Sequence, residues 1–213
     1  MNITVLNTSE NHPINTYLKT WIKKHQNKHK IEVLRSKEEL VGGDILFLIS
    51  CSEIISADER GKFKKTLVIH ASDLPKGRGW SPHIWGIVNG AKQITLCLLE
   101  AEDKVDSGDI WKKVNVNIPE TALYNEINEL VFDTELELMD FAIENFHQVV
   151  PSRQPEEEPS YWKKRKPKDS EIDIYKSIEE QFNLIRVCDP ERFPAFFYKN
   201  GRKFKLGIEA VDD

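Results

Sequence analysis

Short, continuous apolar runs recur through the first half of the chain. Residues 44–49, 66–69 and 94–99 are almost entirely apolar, and residues 1–6 and 31–34 read as two further strands. An apolar run of four to eight residues without polar alternation is typical of a strand buried on both faces of a parallel sheet. The pattern therefore predicts a sheet whose strands lie in the interior of a domain.

Helical patterns separate these runs. Tyr17, Leu18, Trp21 and Ile22 fall on one helical face after Pro13, a residue favoured in a first helical turn. Residues 81–89 resemble a helix that ends at Gly90, and residues 120–148 carry the longest helical apolar stripe. Strands that alternate with helices predict an α/β fold, with a Rossmann-like, mostly parallel sheet flanked by helices.

The last third of the chain has a different composition. Residues 151–168 contain four prolines and many charges, which predicts an extended crossing segment. Residues 172–186 read as a short helix, and Asn200-Gly201 between two apolar runs predicts a hairpin with a type I′ turn. We therefore predict a main domain over residues 1–150 and a small C-terminal α+β subdomain over residues 151–213.

Charge limits the partners of the 213-residue chain, whose net charge is −5 and whose pI is about 5.8. Proteins that bind long nucleic acids usually carry a basic excess, so we expect no nucleic-acid partner. The basic run 163–168 follows the acidic run 156–158. It can be a solvated linker, or it can contact a phosphate or a partner.

The sequence also bears on compartment and on metals. No apolar run approaches the roughly 20 residues of a membrane span, and the N-terminus lacks a signal-peptide pattern. The three cysteines, Cys51, Cys97 and Cys188, are widely spaced and form no CxxC pair. These features predict a cytoplasmic protein with no membrane contact, no disulfide framework and no metal site.

A histidine and an aspartate follow two of the apolar runs. His70 ends the run 66–69 and precedes a basic, glycine-containing loop, and Asp106 lies in a turn after the run 94–99. Ligands of parallel sheets bind beyond the carboxyl ends of the strands, so we expect the two side chains to meet there. His70 alone could be a buried structural histidine and Asp106 a turn residue before Gly108. Together they suit proton transfer during acyl transfer.

The sequence around these two residues resembles a known family. The order of motifs is similar to the signature of N10-formyltetrahydrofolate-dependent formyltransferases. It consists of His70-Ala-Ser-Asp-Leu-Pro-Lys-Gly-Arg-Gly79, a helix that ends in Asn-Gly, a strand, and then Asp106-Ser-Gly-Asp109. Residues 165–173 and 186–196 look like the tail of the sugar N-formyltransferase branch. The resemblance implies the formyltransferase fold and transfer of a formyl group from the folate to a primary amine.

The resemblance also implies roles for individual residues. His70 would be the catalytic histidine, and Asp106 would orient it and relay a proton. The folate would lie against two loops that contain Ser52, Ile54, Ile55, Glu102 and Val105, although Glu102 could instead be a solvated charge in a turn. The residues expected at the acceptor are Lys76, Gly77, Arg78, Gly79, Trp80, Ser81 and His12. Alternatively the loop is a structural turn, Trp80 is a core residue, and His12 caps a helix or faces solvent. Glycine allows close backbone approach, and arginine can pair with phosphate oxygens.

One position departs from the family pattern. The family usually has an asparagine two residues before the histidine, where its amide stabilises the oxyanion, and this chain has Val68 there. Loss of one oxyanion donor typically costs about 100- to 1000-fold in rate. His70 could act alone, Ser50, Ser52 or Asn7 could substitute, or the protein could bind ligands without catalysis.

Length and charge separate the branches of the family. The tRNA-formylating branch is longer and carries a basic C-terminal domain. We therefore expect a nucleotide-linked amino sugar as acceptor, as in surface-polysaccharide synthesis, with a UDP-linked 4-amino sugar of the pseudaminic-acid type fitting this size. The alternatives are another amine, such as a purine precursor or a peptide amine, and a folate- or nucleotide-binding module without catalysis. A homodimer is the default expectation for the assembly.

Overall fold

The computed structural model describes residues 1–211 and contains ten strands. The strands are Asn2–Leu6 (β1), Lys30–Leu34 (β2), Gly43–Leu48 (β3), Phe63–His70 (β4), Arg78–Gly79 (β5), Gln93–Glu100 (β6), Ile110–Asn117 (β7), Tyr161–Trp162 (β8), Ala195–Lys199 (β9) and Arg202–Leu206 (β10). The α-helices are Ile14–His25 (α1), Ala57–Arg60 (α2), Pro82–Val88 (α3), Tyr124–Glu144 (α4) and Ile178–Arg186 (α5), and short 3-10 helices span Lys37–Glu39 and Pro167–Ser170.

Six strands form the central sheet in the order β2-β1-β3-β4-β6-β7. The pairs β2-β1, β1-β3 and β3-β4 are parallel, whereas β6 runs antiparallel to both β4 and β7. Five strands therefore point the same way and β6 is the exception. The predicted α/β class with a mostly parallel, helix-flanked sheet is confirmed.

Alternation along the inner strands divides the core between the two faces of the sheet. In β3, Ile45 and Phe47 join the large cluster under α1, α3 and α4, while Leu46 joins a smaller cluster on the opposite face. In β4, Leu67 belongs to the large cluster, and Val68 packs against a third cluster. Because side chains alternate along a strand, His70 lies on the same face as Val68.

The antiparallel course of β6 corrects one expectation. Glu100, at the end of β6, pairs with Leu67, whereas His70 pairs with Cys97. The carboxyl end of β6 therefore lies about 10 Å short of His70, three residues back along β4. The carboxyl ends of parallel strands do not bring Asp106 to His70. The loop after β6 folds back along the sheet to do so.

Other boundaries also differ from the prediction. The alternating edge strand β7 was not predicted, since only one of its faces is strongly apolar. The helix predicted over residues 120–148 is α4, which begins at Tyr124 because the preceding residues form a turn closed by Ala122 N–H on Pro119 O. The helix predicted from residue 172 begins at Ile178, where Ser177 and Glu180 form a capping box.

The C-terminal region packs against the sheet domain. Strand β8 pairs with β5, and Ser152 bridges to Ile110 at the start of β7. The predicted hairpin is β9-β10, and Asn200 and Gly201 both have the positive φ of a type I′ turn, at 50° and 76°. Of the predicted subdomain over residues 151–213, Asp212 and Asp213 lie outside the described residues. The domain division itself stays a prediction.

Candidate active site

His70 ends β4 as a buried residue with both ring nitrogens near oxygen atoms. Its side chain is 7% exposed. Nε2 lies 2.9 Å from the carbonyl oxygen of Gly77, and Nδ1 lies 3.5 Å from Oδ1 of Asp106. Since a carbonyl only accepts hydrogen bonds, Nε2 carries a proton in this arrangement. Nδ1 is therefore the nitrogen left to exchange a proton with a ligand or with Asp106.

Asp106 is held in an uncommon backbone conformation beside His70. Its φ is 53°, in the left-handed region that aspartate tolerates better than most residues. Its Oδ2 accepts a 2.9 Å hydrogen bond from the backbone N–H of Gly79, and its side chain is 8% exposed. The carboxylate is thus fixed by the same loop that contacts the histidine.

The pair can store and release one proton. A neutral Nδ1 lone pair and a carboxylate oxygen both accept hydrogen bonds, so they repel until a proton lies between them. A proton on Nδ1 would lie between the ring and the carboxylate oxygen 3.5 Å away, where both groups can hold it. The geometry therefore suits a group that accepts a proton in one step and returns it in a later one.

A cavity of about 790 Å³ opens next to this pair. It is bordered by most of the site residues predicted from the sequence, namely His12, Ser52, Ile54, Ile55, His70, Gly79, Trp80, Ser81, Glu102, Val105 and Asp106. The structure therefore brings together the catalytic pair, both loops expected at the folate and part of the expected acceptor loop.

Lys76, Gly77 and Arg78 do not border this cavity. The ammonium of Lys76 donates to Glu158 O and lies 3.6 Å from the carboxylate of Glu157. Arg78 is only 6% exposed, because its guanidinium packs beneath the crossing segment. This placement does not support the predicted contact of Arg78 with an acceptor phosphate.

At the position where the family has an asparagine, this chain has the apolar side chain of Val68. Val68 borders the cavity, as do Ser50 and Ser52, whereas Asn7 is fully buried and does not. The two serines remain candidate oxyanion donors. Asn7 is excluded as a donor because it does not border the cavity. Ser50 has a φ of 48°, and its hydroxyl lies 3.4 Å from the ring of His12.

Several cavity residues were missed by sequence reasoning. Asn128, Phe132 and Glu135 lie on one face of α4, and His83 comes from α3. Burial lowers the pKa of His83 to about 4, with the nearby His12 and His70 as further causes. Polar residues at helical spacing within the stripe of α4 were a usable signal. For His83 the sequence carries no comparable signal.

His12 faces the cavity in a neutral form. Burial lowers its pKa to about 4, and the positive charge of Arg192 adds to the effect. Arg192 itself joins the C-terminal region to the N-terminal loop, since it pairs with Asp189 at 2.5 Å and donates to Asn11 O at 3.0 Å. The C-terminal region thus forms one wall of the cavity.

The basic run 163–168 contributes a positively charged rim. Lys164, Arg165 and Lys166 border the cavity. The ammonium of Lys164 lies 4.3 Å from the ring centre of Trp80, which is 40% exposed. Of the two interpretations of this run, the cavity contact is the one that the geometry favours for these three residues.

Glu135 provides a prediction for stability. Burial raises its pKa from 4.5 to about 8, so the folded state keeps it protonated while the unfolded chain ionises above pH 4.5. The folded state is therefore penalised increasingly between pH 4.5 and 8. Because Glu135 is partly exposed at the cavity wall, we expect about half of the effect that the full pKa change implies. Glu135→Gln should raise the free energy of unfolding by about 2 kcal/mol at pH 8 and leave it unchanged at pH 4. Urea unfolding at both pH values measures this.

Glu137→Gln, an exposed change on the same helix, is the matched control and should have little effect at either pH. An equal gain for both variants, or no gain for Glu135→Gln at pH 8, would contradict the assigned burial effect.

Neither a metal-binding cluster nor a membrane-spanning helix is found within residues 1–211. Within this range no group of three or more histidine, cysteine, aspartate or glutamate side chains is arranged to hold a metal ion. No helix in the same range is both long and apolar enough to cross a bilayer.

The chain is similar to proteins of a known family. The model of the family described as formyl transferase matches residues 2–143. Methionyl-tRNA formyltransferase of Malacoplasma penetrans is 34% identical over 144 residues, which cover 65% of this chain and 44% of that protein. The chain spans about half the length of the curated relatives it matches.

Solved structures show the same fold. Methionyl-tRNA formyltransferase from Clostridium thermocellum has a TM-score of 0.84 at 24% identity and covers 100% of this chain and 94% of its own. A sugar N-formyltransferase from a Shewanella species has a TM-score of 0.74 at 15% identity, covering 100% of this chain and 99% of its own. The expected formyltransferase fold is confirmed, and the chain belongs to the formyl transferase family.

Proposed function

We propose that the protein transfers a formyl group from N10-formyltetrahydrofolate to the primary amine of a nucleotide-linked amino sugar. The observation that carries the proposal is the His70–Asp106 pair, 3.5 Å apart, at the wall of a cavity of about 790 Å³. A cavity of this size is within the range of small-molecule and cofactor sites.

The reaction requires proton movement that the pair can provide. The bond between the formyl carbon and the folate nitrogen breaks, and a carbon–nitrogen bond to the acceptor amine forms. One proton leaves the amine, and one is delivered to the departing folate nitrogen. His70 accepts the proton at Nδ1, Asp106 stabilises the resulting imidazolium, and the proton is returned to the leaving nitrogen.

The folate site is proposed between two loops at the cavity mouth. Ile54, on the loop after β3, is 66% exposed, and Val105, on the loop after β6, is 46% exposed. Arg60 joins the two loops, because it donates to Ile55 O at 2.7 Å and pairs with Asp103 at 2.5 Å. Exposed apolar side chains on two connected loops suit a flat aromatic ligand that would cover them.

The acceptor site is proposed at the positive rim. Lys164, Arg165 and Lys166 can neutralise phosphate oxygens, and the exposed face of Trp80 can stack on a sugar or a base. Ser81 and His12 lie along the same cavity, and His12 is neutral above about pH 4, so it can donate or accept a hydrogen bond. A cationic rim in a chain of net charge −5 favours one small anionic ligand.

The second candidate acceptor is the amine of an aminoacyl group. It is favoured by the curated relative from Malacoplasma penetrans, a methionyl-tRNA formyltransferase. The anionic net charge and the small positively charged rim support the sugar nucleotide over a long polyanion. Turnover of a purine precursor, a peptide amine, or none of these would point to the remaining alternatives.

A turnover assay separates the candidates. The protein is supplied with N10-formyltetrahydrofolate and, in separate reactions, with UDP- and dTDP-linked amino sugars, methionyl-tRNA and a purine-precursor amine, and tetrahydrofolate release is measured. We expect release with an amino sugar only. Release with methionyl-tRNA alone would show that the acceptor is the aminoacyl group and not an amino sugar. Tight folate binding without turnover on any amine would indicate a binding module.

Val68 offers a test of the oxyanion environment. An amide at this position would lie on the same face of β4 as His70, where it can donate to the developing oxyanion. We expect Val68→Asn to raise kcat about 10-fold, less than the full worth of an oxyanion donor, because the surrounding residues are shaped for valine. Single-turnover kinetics measures this.

Val68→Thr, which keeps the branched shape without an amide, is the control and should not raise kcat. A folded Val68→Asn protein with unchanged or lower kcat would mean that another group, such as Ser50 or Ser52, already supplies the donor.

A further inference from the structure

We infer that Gln154 is a positioning residue that, together with Arg78, holds Asp106 beside His70. The inference rests on the proposed function for its kinetic test but on geometry for its structural test. Gln154 lies in the crossing segment before β8, outside any helix or strand. It is partly buried, although the residues on both sides of it, Arg153 and Pro155, are exposed.

Three hydrogen bonds use every polar atom of the Gln154 amide. Its Nε2 donates to the backbone oxygens of Asp106, at 2.8 Å, and Gly108, at 3.0 Å. Its Oε1 accepts from Nη2 of Arg78 at 2.5 Å. The orientation of the amide is fixed, since carbonyl oxygens only accept and a guanidinium only donates. No other side chain of this length both donates twice and accepts.

The residues that Gln154 contacts belong to the two loops that contact His70. The loop after β4 provides Gly77 O, which accepts from Nε2 of His70, and it continues directly to Arg78. The loop after β6 provides Asp106, whose carbonyl direction Gln154 fixes. One amide therefore sets the spacing of the loops on either side of the imidazole.

The local backbone needs such support. Asp106 adopts a φ of 53°, which costs a non-glycine residue free energy and is retained only where its surroundings hold it. Gly108 also packs closely, since a Cβ there would lie 1.9 Å from the backbone oxygen of Glu100. Small shifts of this loop would move the carboxylate away from His70.

Arg78 then has a different role from the one predicted by its sequence context. Its Nη1 lies 3.4 Å from the hydroxyl of Tyr161, its backbone N–H donates to Ser160 O, and it does not border the cavity. A buried guanidinium that donates to the crossing segment connects that segment to the histidine loop. We call the hydrogen-bonded pair of Arg78 and Gln154 the clamp.

Substitution of Gln154 by leucine tests the clamp. We expect Gln154→Leu to lower kcat about 30-fold, to leave KM for both substrates within about threefold, and to shift the pH at which kcat is half-maximal. Unchanged substrate affinities are expected because Gln154 is outside the cavity lining. Gln148→Leu, an exposed glutamine near the end of α4, is the matched control and should behave like the wild type.

Arg78 separates the clamp from acceptor binding. If Arg78 held an acceptor phosphate, Arg78→Met would raise KM for the acceptor at least 10-fold with kcat nearly unchanged. The clamp predicts the reverse, a fall in kcat at constant KM. The kcat of the double variant with Gln154→Leu should then be no lower than that of the less active single variant. A rise in KM, or additive losses, would overturn the inference.

A crystal structure of Gln154→Leu gives a result that does not depend on turnover. We expect the distance from His70 Nδ1 to Asp106 Oδ1 to lengthen from 3.5 Å to beyond about 4.5 Å. An unchanged distance would overturn the inference even if the enzyme is active. If the wild type turns over no amine, the proposed function fails, but the His70–Asp106 distance still tests the clamp. If Gln154→Leu does not fold, the same distance is measured in Arg78→Met.

Discussion

Replacement of His70 by alanine is expected to lower kcat for formyl transfer by at least about 1000-fold, because the proposed mechanism passes the proton from the amine to the leaving nitrogen through this imidazole. His70 borders the cavity, and Nδ1 is the ring nitrogen left for this exchange. Binding of tetrahydrofolate should change little, since the proposed folate loops do not depend on the imidazole. Rapid-quench turnover and equilibrium binding measure the two quantities.

The same variant allows a rescue experiment. Removal of the imidazole from a residue beside a cavity of about 790 Å³ leaves a space that free imidazole can enter, so added imidazole should restore part of kcat. His147→Ala, at an exposed position after α4, is the matched control. If His70→Ala turns over within threefold of the wild type, the assignment of His70 as the proton-transfer group is wrong.

Replacement of Asp106 by asparagine is expected to lower kcat about 100- to 1000-fold with the fold intact. Asparagine keeps the shape, tolerates a φ of 53°, and can still accept the hydrogen bond from Gly79 N–H. It has no negative charge to stabilise an imidazolium at His70. The loss should therefore fall on kcat, and KM for the acceptor should change by less than about threefold.

Asp109→Asn provides the control for this variant, because Asp109 lies in the same loop and is exposed. We expect its kcat to remain within about twofold of the wild type. An Asp106→Asn enzyme of near-normal kcat would show that the carboxylate only shapes the loop. A thermal unfolding curve for each variant distinguishes lost chemistry from lost folding.

Local features of the sequence determined much of the fold. The strands β1, β3, β4 and β6 were predicted within a few residues, since continuous apolar runs depend only on burial on both faces. The hairpin turn at Asn200-Gly201 was predicted because those two residues adopt positive φ at low cost. The placement of His70 at the end of β4 followed from the same runs.

Long-range packing decided what those features could not. The direction of β6 depends on the path that the chain takes between β4 and β6, so an apolar run alone did not indicate that it is antiparallel. The edge strand β7 and the approach of the crossing segment likewise depend on contacts between residues far apart in the sequence. The carboxylate of Asp106 reaches His70 through a returning loop, which the sequence could place near the site but could not trace.

For this protein, the sequence by itself determined the α/β fold class, the pairing of His70 with Asp106 as a hypothesis, and the family resemblance, because these depend on residue type and spacing. Only the tertiary structure decided that Arg78 is buried against Gln154 and that Lys164 to Lys166 and Glu135 border the cavity. Burial and the orientation of a charged side chain are set by neighbours from distant parts of the chain, and a single sequence does not contain that information in local form.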